Sequence, residues 1–466
     1  MTTDLPSTNP SDELHDNTDP HTPHTPDTPD LSCAAFDPDA VVVTGIGAVL
    51  PTGRGPEALW SAWRQAQPAL SPYRDPYVRT RKISHFGHVP DALQEESRDS
   101  VPHKLRKFGT PFTFNAVLAA QDAMAAAGES WQQVPEERRG LYVAQDDSTD
   151  LSAAAFHKAL DNARTDHSPE AGVSMTRLVA EAFGNAATFN PFTVIRALNN
   201  NTLALISIAQ RFRGDCAAFV QDAGAALGAL QRAAFTLREG TCDTALVVGA
   251  GSYNEPLKLA AQYRAGHLTP GGPDGAALRS FDAERDGTVL AEGAVALVLE
   301  RAGDAVARGA RTLVTFLGAA LRPAVDSGVG PSALAEGPRG LLAEHGLTPD
   351  TLGAVLADGK GTVRHDAAEA ELLRALLKDS GVPVGSLRPV TGTLGAAGPL
   401  AELALAPHLF ATGELPQIAH LRTPPDDGTD FVMGAPRKRR IDSVLSLHST
   451  FNGFAGALLA QRPHTD

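Results

Sequence analysis

Few residues of this chain combine the type and spacing that chemistry needs. Cys33, Cys216 and Cys242 offer thiols, and a thiol becomes a nucleophile where a helix N-terminus or a nearby cation favours the thiolate. Cys216 precedes a strand-like stretch and Cys242 begins another, so both read as small buried residues. Three cysteines with no paired spacing suggest neither a zinc site nor a disulfide framework, but a reduced, cytoplasmic protein. Asp358 and His365 stand seven residues apart across a glycine-rich loop. They would act as an acid–base pair only if folding buried them together. His15, His21 and His24 lie where nothing fixes their geometry, so no metal and no cofactor is expected. Gly45 and Gly47 follow an apolar run, as in a dinucleotide-binding turn. Leu50 stands where the third glycine belongs, and no acidic ribose partner follows at the required distance.

The elements that must position these residues alternate along the chain. Val41–Val49 has the pattern of a buried strand, and Glu57–Gln65 that of a helix. Leu105–Ala127 reads as helix, Gly140–Ala144 as strand, Leu203–Phe212 as helix and Ala217–Val220 as strand. Ala223–Arg238 follows as a helix with Ala223, Ala226, Leu227, Leu230, Ala233, Ala234 and Leu237 along one face, before a strand over Thr244–Gly249. Further elements fall at Thr312–Leu317, Ala354–Ala357, Ala367–Leu377, Ala401–Ala411 and Ser443–Leu447. Such alternation predicts an α/β protein whose parallel sheets are covered on both faces. A break near 301–311 divides it into halves at 39–305 and 306–466, each able to form one sheet unit. Residues 1–38, rich in Thr, Pro, Asp and Ser, carry too little apolar surface to offset ordering entropy and read as a disordered tail.

Bulk properties narrow the partners. With 466 residues, 42% hydrophobic and 20% charged, the chain can bury a large core. A net charge of −14 disfavours nucleic acid, whose phosphates demand cations. There is no apolar run of the ~18 residues a membrane span needs, and the N-terminus lacks the pattern of a secretory signal.

From Val41 onward, over about nine-tenths of the chain, the order of segments resembles the β-ketoacyl synthase family. Val42-Val43-Thr44-Gly45-Ile46-Gly47 resembles its first strand and turn, and Asn190-Pro191-Phe192 through Arg213-Gly214 the segment ahead of its nucleophile. The most specific stretch is Ser280-Phe281-Asp282-Ala283-Glu284-Arg285-Asp286-Gly287-Thr288-Val289-Leu290-Ala291-Glu292-Gly293-Ala294, which follows the family signature almost throughout. The resemblance implies a thiolase-like, five-layered α-β-α-β-α fold built from two similar halves.

The family's decarboxylating condensation uses a cysteine thiolate at a helix N-terminus and a His pair supported by Lys, which stabilises the developing enolate and oxyanion. Counting from Gly214, the cysteine position falls on Ala223. In Ala357-Asp358-Gly359-Lys360-Gly361-Thr362 the first His is replaced by Asp358, a carboxylate that would repel an oxyanion. Asp366-Ala367-Ala368-Glu369 follows as a helix capping box. In Arg388-Pro389-Val390-Thr391-Gly392-Thr393, Arg388 replaces Lys and Thr393 the second His. No catalytic residue is expected. Glu292 matches a family glutamate and reads as a buried, hydrogen-bonded support, and Phe451 stands at the gatekeeping position, where packing is its simplest role.

Joint loss of the nucleophile and both His positions resembles the chain-length factors, the ketosynthase-beta subunits of type II polyketide synthases. Some members carry Gln at the nucleophile position; here Gln221 lies two residues early, which leaves aromatic and reduced polyene pathways both open. The resemblance implies an obligate heterodimer with an active ketosynthase, with acyl carrier protein engaged through the complex. Thr149, Ser152 and Phe156, spaced by three and four, would face the partner's acyl tunnel, with Phe156 as the bulky stop; a plain interface helix is the rival reading. Three other functions remain: a decarboxylating ketosynthase homologue, which would keep its His residues, a scaffold that binds carrier protein, and a hydrolase or dehydratase on the same fold using Asp358.

Overall fold

A computed structural model describes residues 36–73, 83–128, 131, 133–147, 153–166, 171–184, 192–271, 278–323, 331–451 and 453–463. In the first half the strands are β1 (Val41–Leu50), β2 (Arg139–Gln145), β3 (Cys216–Val220), β4 (Thr244–Ser252) and β5 (Glu292–Arg301). In the second they are β6 (Val314–Pro323), β7 (Ala354–Leu356), β8 (Val384–Gly385), β9 (Ser443–Ser449) and β10 (Phe454–Gln461). Four helices matter here: α1 (Pro111–Ala126), α2 (Ala223–Arg238), α3 (Val363–Leu377) and α4 (Gly398–Thr412).

The strand order is β3-β2-β4-β5-β1 in the first half and β8-β7-β9-β10-β6 in the second, so each half places its third, second, fourth, fifth and first strands in that sequence. The halves are topological copies, joined where β1 pairs with β6. The expected parallel sheets are in fact mixed. Within each half three strands run parallel and the last two pairings are antiparallel. A helix separates each parallel neighbour, whereas β9 and β10 are joined by a short turn that forces reversal.

Side-chain alternation builds the layers. Ala245 and Val247 of β4 point into a central core with α2 and α4, while Leu246, Val248 and Ala250 pack outward on α1. In the second half Ala354, Leu356 and Val444 face the central core, and Val355, Leu445 and Leu459 face the outer layer containing α3. Helices, sheet, helices, sheet, helices: these are the five expected layers. Gly45 and Gly47 belong to this packing. A Cβ at either would lie 2.1 or 2.0 Å from a carbonyl oxygen of α1, so the pair lets strand and helix close together rather than cradling a phosphate.

One expected helix is two. Leu105–Ala127 divides into His103–Arg106 and α1, interrupted by Gly109-Thr110-Pro111, because proline lacks an N–H and starts a helix better than it continues one. The capping box also shifts. α3 begins four residues early at Val363, capped by Thr362, whose hydroxyl oxygen accepts from the His365 N–H.

Candidate functional site

Ala223 is the first residue of α2, three residues after the end of β3, so the strand–turn–helix elbow is intact. Its methyl group is buried and offers no atom to acylate. Asp222 precedes it. One of its carboxylate oxygens accepts from the Phe451 N–H at 3.1 Å, and burial pushes its pKa up to about 6.

Asp358 follows β7 and is fully buried. One carboxylate oxygen accepts from Arg388, with Nε at 2.8 Å and Nη2 also in contact. The other accepts from Lys360 Nζ at 2.7 Å and from the Ser449 N–H and hydroxyl at 2.9 and 2.7 Å. Burial opposes ionisation, yet Arg388 and Lys360 outweigh it and hold the carboxyl well below its usual range. The expected repulsion of an oxyanion is therefore only part of the account: the negative charge is neutralised in place. Gly398 makes room for this pairing, since a Cβ there would sit 3.1 Å from Arg388 Nη1.

Thr393 hydrogen-bonds through its hydroxyl to that of Thr288 at 2.9 Å, and its N–H donates to Val289 O at 2.8 Å. It supports the neighbouring segment and has no ring nitrogen to relay a proton. Phe451 stacks on His267 with centroids 4.7 Å apart, and Lys360 Nζ lies 4.9 Å from its ring centre.

Three residues of this cluster escaped sequence reasoning: Lys360 as a partner of Asp358, His448 and Glu402. His448 on β9 and Glu402 on α4 approach to 3.5 Å. Burial, with Arg388 and Lys360 nearby, pulls the His448 pKa down to about 3, and burial raises that of Glu402 well above its usual value. Burial thus favours the uncharged form of both groups. Lys360 was visible two residues from Asp358; His448 and Glu402 had no local signal because only the tertiary fold brings them together.

Asp358 and His365 form no pair. The His365 ring nitrogen bonds to the Thr362 hydroxyl at 2.8 Å, and burial together with Lys360 lowers its pKa to about 4. Glu292 is the support it was read to be, accepting from the Val89 N–H and from Gln94 Nε2. Cys242 is buried, but Cys216 is exposed, because β3 is an edge strand and alternate residues face outward. Thr149 and Ser152 lie outside the described residues. Phe156 falls on a helix over Ala153–Ala163, with its side chain outside them too.

The signature stretch explains how the loop at 358–361 is held. The Ser280 hydroxyl donates to Gly359 O, the Gly287 N–H to Gly361 O, and the Phe281 N–H to Asp366. Asp282 accepts backbone N–H bonds from Glu284, Arg422 and Thr423. Asp366 and Glu369, instead of capping α3, turn back on the loop: Asp366 accepts from Gly361 N–H, Glu369 from those of Asp358 and Gly359. A cavity of about 120 Å³ lies beside the cluster, lined in part by His365, His448, Phe451 and Leu372. Every reacting position is thus either apolar or already engaged.

The family model for the β-ketoacyl synthase N-terminal domain matches residues 38–305, and that for the C-terminal domain matches 327–422. The tetracenomycin polyketide synthase ketoacyl synthase beta subunit of Streptomyces glaucescens is 30% identical over 91% of this chain and 99% of its own. Two solved structures share the fold. The ishigamide ketosynthase/chain length factor has a TM-score of 0.75 and 22% identity over 91% of this chain and 98% of that one. A type II polyketide synthase acyl-carrier protein in complex with its ketosynthase gives 0.73 and 23%, over 92% and 100%. With its elbow intact and its reacting residues replaced, the chain belongs to the β-ketoacyl synthase family, in the ketosynthase-beta, or chain-length-factor, branch of type II polyketide synthases.

Proposed function

We propose that this chain forms a heterodimer with a separate, catalytically complete ketosynthase and there acts as a chain-length factor, completing the acyl tunnel without carrying out condensation. The observation that carries this is the joint state of the reacting positions: Ala223 cannot be acylated, Asp358 is locked by Arg388 and Lys360, and Thr393 is committed to Thr288. A decarboxylating homologue needs a base or oxyanion donor that these residues do not supply.

An exposed face supports the need for a partner. Among the described residues β3 ends the sheet with an unpaired edge, an invitation to strand addition that lone proteins usually blunt. Val220 on it, with Val194, Ile195, Leu198 and Ile208 nearby in sequence, is exposed. Such apolar surface marks a protein interface. Phe156 would line the tunnel, and acyl carrier protein would dock on the complex. Among the described residues no helix is long and apolar enough to cross a membrane.

The test is co-expression with a candidate ketosynthase followed by gel filtration, then turnover of malonyl-carrier protein. A 1:1 complex is expected, broken by Ile208→Glu without loss of fold. A chain that stays alone and condenses or decarboxylates acyl thioesters by itself would overturn the reading.

A further inference from the structure

The overall acidity conceals a basic run, Arg437-Lys438-Arg439-Arg440. It begins on a short strand, Arg437–Lys438, that pairs antiparallel with Glu414–Leu415 just beyond the end of α4. An open groove of about 620 Å³ lies here, lined by Lys438, Arg439, Arg440 and Arg462 with Asp442 and Phe410. Its charges do not cancel. Arg440 and Arg462 share the single carboxylate of Asp442, at 2.5 and 2.8 Å. Arg437 is taken up by Asp430 outside the groove. Among the described residues no carboxylate comes within ion-pair distance of Lys438 or Arg439. Four cations thus face one anion.

The groove is remote from the reacting positions. Arg388 packs at the first residue of α4, and the groove lies past its last, a helix of 15 residues or ~22 Å away. Acyl-thioester delivery does not require a surface there.

One segment of the chain has the complementary charge and the right tether. Residues 1–35 contain Asp4, Asp12, Glu13, Asp16, Asp19, Asp27 and Asp30 and no Lys or Arg. These seven acids supply half of the net charge of −14. The segment joins the fold at the end of the sheet where the groove lies. Val42 on β1 is opposite Thr315 on β6, Thr315 is opposite Gln461 on β10, and Gln461 is opposite Ser443 on β9. Gln461 and Ser443 directly adjoin Arg462 and Asp442, two walls of the groove. Three strand spacings of ~4.8 Å place Val42 ~14 Å from Ser443. The six residues from Asp30 to Phe36 can span ~20 Å. A tether this short gives an effective concentration in the millimolar range, so weak, screened charge contacts suffice.

We infer that the groove formed by Lys438, Arg439, Arg440 and Arg462 is a binding site for the acidic N-terminal segment of the same chain. The contact is electrostatic and salt-sensitive, and it shields a cationic groove from other anionic ligands. An acidic protein bound in its place is the alternative occupant that the test must separate.

The experiment uses the full chain with a zero-length carbodiimide, which joins a carboxylate to an amine in contact, read by peptide mass spectrometry of the monomer. Lys438 should link to Asp or Glu within residues 1–30. The yield should fall about fivefold or more between about 0.05 and 0.5 M salt, as charge contacts are screened. Arg439→Gln/Arg440→Gln and, separately, Asp27→Asn/Asp30→Asn should lower it comparably. The second pair of changes leaves every residue that lines the groove in place, so loss of a groove side chain cannot explain its effect. Lys438 linking to the tail no more than the exposed Lys104 and Lys378 do, or only between two copies, would overturn the inference. So would a yield indifferent to salt.

Discussion

Two parts of the molecule converge on the loop at 358–361 and use their carboxylates in opposite ways. Around the signature stretch, Asp282, Asp366 and Glu369 accept hydrogen bonds from backbone N–H groups. At the reacting positions, Asp358 instead holds two side-chain cations, Arg388 and Lys360. The first arrangement needs only backbone geometry, so it survives whatever stands at the reacting positions. The second consumes the lone pairs and protons that a condensing site would keep available. A ketosynthase scaffold can therefore persist in full while its chemistry is closed off from within.

Breaking the ionic part should cost most. Arg388→Met leaves Asp358 buried with Lys360 alone, for an expected loss of about 3–5 kcal/mol in urea unfolding. Adding Asp358→Asn should recover part of it, with a coupling of at least about 1 kcal/mol in the double-mutant cycle. Strict additivity would show that the pair does not interact as drawn. On the scaffold side, Asp282→Ala strands three backbone donors and should cost about 2–4 kcal/mol by the same measurement. A loss below about 1 kcal/mol would remove the contrast between support and site.

Protonation sharpens the comparison with a smaller effect. Burial pushes the Asp146 carboxyl up to about 7, and among the described residues it accepts from the Ala396 N–H alone. A carboxyl raised in the folded state stabilises fully below its ordinary pKa, and that contribution is lost as pH rises through 7. His448, held neutral down to about 3, acts in the other direction: its contribution is present above the ordinary 6.5 and is lost as pH falls below it. Between about 4 and 6.5 the two slopes oppose each other, and Asp146→Asn, which removes the falling one, should make stability rise with pH across that window by about 1 kcal/mol or more relative to the parent. A profile unchanged between about pH 4 and 6.5 in that variant would contradict the assignment. The smallest change is Ala223→Cys, costing about 1 kcal/mol in packing. It should leave the isolated chain without condensing activity, and intact-mass measurement after exposure to an acyl thioester should show no adduct.

Much of this was legible in the sequence where local pattern determines structure. The helix Ala223–Arg238 appears with the same ends, and the losses at Ala223, Asp358 and Thr393 fall on an intact elbow and loop. What failed was long-range. Antiparallel pairing of β4, β5 and β1 depends on partners dozens of residues apart, which alternation of strands and helices does not encode. Asp366 looked like a cap because spacing cannot show that its carboxylate turns toward Gly361 and Phe281. His448 and Glu402, on different elements, meet only in the core.

The most direct test of the account is product length in the reconstituted complex with an active ketosynthase, comparing the parent chain with Phe156→Ala. Longer polyketides from the variant, at unchanged complex formation, are the predicted result. Condensation by this chain without its partner, persisting in the Ala223 background, would contradict the central claim that it shapes the tunnel and leaves the chemistry to another subunit.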